Sequence, residues 1–126
     1  MNFTTLDARI PNYFSMDINQ EPIGNIIILS LNGRLDTMNF ALLEKEVNSL
    51  IKNNQKYIIL NCQALDYVSS SGLRVLLMSL NQVKAVGGKF SICSLQPSII
   101  KIFKISGFDR LFDIFPGRDE AVASYN

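Results

Sequence analysis

Between residues 26 and 31 the chain reads Ile26-Ile27-Ile28-Leu29-Ser30-Leu31. A strand with one wet face alternates apolar and polar residues, because successive side chains point to opposite sides. This run does not alternate, so it predicts a central strand covered on both faces. Tyr57-Ile58-Ile59-Leu60-Asn61 predicts a second, short buried strand, and Phe90-Ser91-Ile92-Cys93 a third. The segments between them supply the covering layers. Asn39 to Asn53 puts Phe40, Leu43, Val47, Leu50 and Ile51 on one side and Glu44, Lys45, Glu46, Asn48 and Lys52 mostly on the other, the pattern of an amphipathic helix. Ser71 to Val86 turns Leu73, Leu76, Leu77, Leu80 and Val83 inward and ends at Gly87-Gly88, because a left-handed C-terminal residue costs glycine least. Pro97 suits the first turn of a third helix, with Ile99, Ile102 and Phe103 inward and Gly107 as its stop.

The ends of the chain complete the pattern. Tyr13 to Asn19 alternates, with Phe14, Met16 and Ile18 opposite Tyr13, Ser15 and Asp17, and predicts a half-exposed strand near an edge. A turn containing Pro22 and Gly24 leads into the first apolar run, which Asn32-Gly33 closes. Leu111 to Phe115 predicts a last strand and Arg118 to Ser124 a terminal helix. Strands alternating with helices imply right-handed crossovers, so the expected class is α/β: a mixed, mostly parallel sheet of about four or five strands with an N-terminal antiparallel hairpin and about four helices. Residues 13–126 form the expected domain, with 1–12 as an N-terminal extension.

Composition excludes more than it suggests. With 126 residues, 48% hydrophobic and 18% charged, the chain suits one globular core. A net charge of +1 gives no electrostatic case for nucleic acid or an anionic membrane. No apolar run approaches the roughly 18 residues of a membrane helix, and the first twelve residues lack a secretory h-region, so a soluble cytoplasmic protein is expected. Cys62 and Cys93 stand beside strand ends without metal-ligand spacing and are expected as buried, reduced thiols. There is no histidine, which argues against a serine triad and ordinary zinc chemistry. Walker loop, nucleophile elbow and dinucleotide fingerprint are missing too, so no catalytic residue, metal or cofactor is expected.

In α/β sheets functional groups gather where strands end and helices begin. Two loops qualify here, Gly33 to Asn39 and Ala64 to Gly72. The second contains Ser69-Ser70-Ser71-Gly72 at the point where a strand hands over to a helix. A helix start leaves backbone N–H groups without partners and carries partial positive charge, so it holds a serine as a cap or a phosphate as a ligand. Both readings stay open for these serines. Gly72 fits either close backbone packing or exposure of the serine loop. Arg34, Asp36 and Thr37 fit either a turn, with Asp36 or Thr37 capping the helix, or a partner surface beside the serines. Phe103, Phe108, Phe112 and Phe115 are expected in the core, and Lys101 and Lys104 on a solvated helix face.

The segment Leu60 to Leu77, with its apolar strand, Leu65-Asp66-Tyr67-Val68, Ser-Ser-Gly-Leu and an apolar helix, resembles the signature of the STAS domain, and more narrowly the bacterial anti-sigma factor antagonists. Leu31-Asn32-Gly33-Arg34-Leu35-Asp36, the start of the first helix, Gly87-Gly88-Lys89-Phe90 and Ile102-Phe103-Lys104-Ile105-Ser106-Gly107 fall at the family's other recurring places. The resemblance runs from about Tyr13 to Ala123. It implies a non-enzymatic partner switch. The antagonist binds an anti-sigma factor that is also a serine kinase, phosphorylation in the serine loop ends that binding, and a serine phosphatase reverses it. The implied acceptor is the serine two positions before the glycine, Ser70, with Ser71 as the alternative. Arg34, Asp36, Thr37, Ser69, Ser71, Gly72 and Leu73 are the implied partner surface. Family members often carry aspartate before the acceptor; here Ser69 stands there, removing a negative charge where a kinase docks. The other reading is a STAS module serving as a non-catalytic subunit of a transport or sensory complex, with the serines as caps.

Overall fold

The apolar runs form the middle of a single five-stranded sheet in the computed structural model, which describes residues 16–126. The proposed extension 1–12 and the first three residues of the expected N-terminal strand lie outside the described residues. The strands are β1 (Met16–Ile23), β2 (Ile26–Leu35), β3 (Tyr57–Val68), β4 (Lys89–Cys93) and β5 (Asp113–Phe115). They lie side by side in chain order, β1 antiparallel to β2 and every later pair parallel. Four helices connect or follow them: α1 (Phe40–Lys52), α2 (Ser70–Ala85), α3 (Pro97–Ser106) and α4 (Arg118–Ala123). The expected α/β class, hairpin and helices are all present.

β5 begins at Asp113 and not at Leu111, whose amide donates to the Phe108 carbonyl at 3.0 Å in a 3-10 turn, and three further boundaries differ from the sequence expectation, each for a physical reason. Pro22 belongs to β1, not to the turn, because an edge strand tolerates a residue that cannot donate to the ladder. The turn is Gly24-Asn25, with Gly24 at φ 59. Asn32-Gly33 does not close β2. Gly33, at φ 110, sits between two register shifts, and pairing with β3 resumes at Arg34 and Leu35. Those irregularities are β-bulges, which bend a strand without ending it. β3 likewise runs to Val68 instead of stopping at Asn61. Its neighbour β4 ends opposite Asn61, so among the described residues the rest of β3 pairs only with β2 and carries the exposed Asp66 and Tyr67.

The sheet has two unequal faces. α1, α2 and α3 cover the first, over a core that includes Leu29, Leu31, Leu35, Leu43, Val47, Leu60, Leu65, Val75, Leu76, Ile92 and Phe103. In α2 the buried face is Val75, Leu76, Ser79, Leu80 and Val83, while Leu73 and Leu77 are half-buried. Ser79 tolerates burial because its hydroxyl donates to the Val75 carbonyl at 2.8 Å. In α3, Ile99 and Phe103 are buried as expected, but Ile102 is not. Phe103 and Phe112 are core, with Phe108 packed edge-on to Phe103. Phe115 joins the core of the other face, packing beside Ile26, Ile28, Ile59 and Cys93. Both cysteines are free and buried, and burial pushes both thiols above their ordinary range.

Among the described residues, the helix that covers the second face is α4. This six-residue helix is too short to persist by itself and is held by tertiary contacts. Arg118 pairs with Glu21 of β1, the Lys89 ammonium donates to the Ser124 carbonyl and lies 4.6 Å from the Tyr125 ring centre, and Ala121 packs into the small core. The Tyr125 hydroxyl donates to the Ile58 carbonyl and lies 2.9 Å from that of Ser91.

Burial pushes the Tyr125 phenol up to about 12. The folded chain therefore holds this proton to higher pH than the unfolded chain does. Its contribution to stability is complete below about pH 10 and is lost as pH rises through about 12. In urea titrations from pH 8 to 11.5, Tyr125→Phe should be less stable than wild type by about 1 kcal/mol near neutrality. The difference should shrink above pH 10, and a constant difference would show that the phenol does not titrate with folding.

Candidate functional site

β2 and β3 end together, with Leu35 opposite Val68, so the chain leaves the sheet at two adjacent points. The two loops singled out from the sequence therefore share one corner. The Ser69 amide donates to the Leu35 carbonyl at 2.9 Å, and the Thr37 and Ser71 hydroxyls lie 3.0 Å apart. Gly72 makes this approach possible. A Cβ there would stand 2.6 Å from the Leu35 carbonyl oxygen and 2.9 Å from a Val68 methyl. Gly72 is buried, and its role is close packing of α2 on the end of β2.

The three serines occupy three different positions. Ser69 is the N-cap of α2, in extended conformation, and its hydroxyl accepts from the Gly72 amide at 3.2 Å. Ser70 is the first helical residue and is exposed. Ser71 is half-buried and turned toward Thr37. Capping and tethering thus fall to Ser69 and Ser71. Ser70 stands at the positive end of a 16-residue helix with its hydroxyl toward solvent.

The neighbouring loop is built differently from the sequence expectation. Neither Asp36 nor Thr37 caps α1. Asn39 holds the N-cap position, and its side chain is spent inside the loop, accepting from the Asp36 amide at 3.0 Å and donating to the Arg34 carbonyl at 2.7 Å. The Asp36 carboxylate accepts from the Met38 amide at 3.0 Å, making an Asx turn. Its other oxygen lies 3.5 Å from the Arg34 guanidinium, which also sits 4.1 Å from the Tyr67 ring centre. Arg34 is thereby held between a carboxylate and an aromatic face.

Of the expected partner residues, Thr37 meets Ser71 across the corner, Arg34 and Asp36 pair with each other on the neighbouring loop, Ser69 and Gly72 are spent on capping and packing, and Leu73 packs against the main core. Tyr67 and Met38 were not foreseen. Tyr67 is 40% exposed and Met38 79%. Large apolar and aromatic side chains at a protein surface mark contact sites when they cluster. Strand period alone puts Tyr67 on the face of buried Leu65, and it is the register shift between them that turns Tyr67 outward, so the sequence carried no direct signal for it. It stayed hidden while β3 was expected to end at Asn61. For Met38 the signal was its lying outside α1's apolar stripe.

Three similarities accompany this geometry. The STAS domain family model matches residues 17–121. A Bordetella bronchiseptica protein named as anti-sigma factor antagonist BtrV is 32% identical over 110 residues, covering 87% of this chain and 95% of that protein. The crystal structure of an anti-sigma factor antagonist from Thermotoga maritima superposes with a TM-score of 0.81 at 21% identity, over 85% of this chain and 92% of that one.

Because the Leu35 carbonyl is fixed by the Ser69 amide, it cannot retreat from an added methyl at residue 72. Gly72→Ala should cost about 1–3 kcal/mol in urea denaturation, as overpacking does. A substitution without cost would show that α2 is free to shift away from β2.

Proposed function

We propose that this chain, which belongs to the STAS domain family and is of the bacterial anti-sigma factor antagonist type, is a phosphorylation-controlled partner switch. Unphosphorylated, it binds an anti-sigma factor that is also a serine kinase. Phosphorylated at Ser70, it releases that partner, and a serine phosphatase returns it to the binding form. Domain boundaries at 13 and 126 fit this reading, with 1–12 as an extension outside the switch.

The observation that carries the proposal is the separation of roles among the serines. Ser69 supplies the cap and Ser71 faces Thr37, so Ser70 is the one hydroxyl of the three that a kinase can modify without breaking a contact seen here. Ser69 also fills the place where relatives often have aspartate with a residue that caps a helix equally well. The adjoining loop and the end of β3 carry Arg34, Tyr67, Thr37 and Met38, a mixed apolar and polar set of the composition favoured at interfaces, joined to the serine loop through Thr37 and Ser71.

A phosphate adds roughly −1.5 to −2 charges, taking the chain from +1 to about −1 and placing the whole change on that surface. The N-terminus of α2 stabilises it locally by about 0.3–1 kcal/mol. A partner surface that is apolar or acidic meets an added anion it cannot pair. Repulsion and desolvation of several kcal/mol amount to a hundred-fold loss of affinity or more. The fold persists while the interface fails.

Incubation with ATP and the cognate serine kinase should yield one phosphorylated species, mapped to Ser70 by mass spectrometry and abolished in Ser70→Ala. Label that persists in Ser70→Ala would move the acceptor to Ser71, and failure with every kinase encoded nearby would favour a non-catalytic subunit of a larger complex. Ser70→Asp should hold stability within about 1 kcal/mol of wild type, as expected for an exposed position, while binding to the anti-sigma factor falls. Unfolding of that variant would make Ser70 structural.

A further inference from the structure

The outward face of α3 carries a surface that the switch at Ser70 does not use. At 100° per residue, Ile105 stands at the pole of α3 opposite buried Phe103, between Lys101 on one side and Ser98 and Ile102 on the other, with Lys104 flanking Lys101. Ile105 is 79% exposed and Ile102 36%. The sequence Pro97–Ser106 contains two lysines and no acidic residue, and although Lys104 shares a groove with Asp109 and Asp113 of the following segment, Lys101, Lys104 and Arg110 leave cations in excess by one around this apolar centre. Isoleucine at the outer pole of a short helix contributes nothing to the core beneath it. A solvated face has no need of it.

The position of this face matters as much as its chemistry. β4 and β5 are parallel, so α3 returns from the carboxyl ends of the strands to their amino ends. Its start lies beside the Gln63 carbonyl, which the Gln96 side chain contacts at 3.2 Å. Ile105 lies about 12 Å further along the helix axis, away from the corner where Ser69 to Ser71 meet Thr37. α3 also flanks β4 and β5, whereas the serines stand over the ends of β2 and β3.

We infer that the Lys101–Ile102–Lys104–Ile105 face of α3 is a second docking surface, for a protein segment with an aliphatic centre flanked by Asp or Glu, and that it binds independently of the state of Ser70. Charge complementarity selects the acidic flanks, and the paired isoleucines select the aliphatic centre. A regulator with such a surface stays attached to one protein while the serine corner releases another.

The test uses the full-length protein, isotope-labelled for NMR, and a synthetic helical peptide with leucines on one face and glutamates beside them. Amide shifts should be confined to residues 98–107. Ile105→Ser should weaken binding about tenfold, as loss of a central apolar anchor does. Lys101→Glu with Lys104→Glu should abolish binding to this peptide and confer binding to its lysine counterpart, and Ser70→Asp should leave the affinity unchanged. Absent or scattered shifts overturn the inference, as does weakening by Ser70→Asp. Phosphatidylglycerol vesicles perturbing the same residues without the peptide doing so would make the face a membrane contact. Concentration-dependent dimerisation lost in Ile105→Ser would make it a contact between copies.

Discussion

The parallel pairing of β2 with β3, carried through to Leu35 and Val68, is the constraint on which the rest of the structure depends. It brings two chain exits side by side, and the hydrogen bond from the Ser69 amide to the Leu35 carbonyl closes the corner between them. The absence of a side chain at Gly72 lets α2 start directly against that corner. Bulges around Gly33 let β2 keep pairing past an irregularity that would otherwise end it early. Without this extension, the Arg34–Asp36–Thr37 loop and the serines would leave the sheet at different heights.

From that corner follows the chemistry of the STAS site. A helix N-terminus offers a cap position and a solvent-facing first residue, and the serines divide between them. The two requirements of the proposed switch, a stable fold in both states and a surface that changes charge, would then fall on neighbouring but different residues. The fold relies on Ser69 and Gly72, and the charge change is proposed for Ser70. Arg34 has a double engagement, with Asp36 and with Tyr67, which holds a cation on the loop beside the serines.

Much of the fold was legible in the sequence because burial on both faces leaves an unmistakable run of aliphatic residues. Ile26–Leu31 and Tyr57–Leu60 are such runs, and both form strands at the centre of the sheet. Gly87 and Gly107, at φ 77 and 79, end their helices as their positions implied. Legibility failed where a strand outgrew its neighbours. Past Asn61, β3 pairs with β2 on one side and with no other strand among the described residues, and a register shift between Leu65 and Tyr67 leaves Leu65 and Val68 buried with Asp66 and Tyr67 exposed between them. That mixture reads as loop when only the continuous core pattern is sought. Ile102 was misplaced for a related reason, since an aliphatic residue beside Ile99 and Phe103 matches a buried stripe yet lies just outside it.

By itself the sequence determined the fold class, the order of strands and helices, the want of histidine and the presence of hydroxyls at a strand-to-helix junction. These depend on local composition and period, which a chain carries with it. Tertiary structure alone decided which serine is a cap, which is tethered and which is free, because that turns on Leu35 and Thr37, more than thirty residues away in the chain and within hydrogen-bonding distance in space. It also decided that Tyr67 and Met38 face outward beside the site. Side-chain period says that a residue has a face, and only the packing of its neighbours says what that face meets.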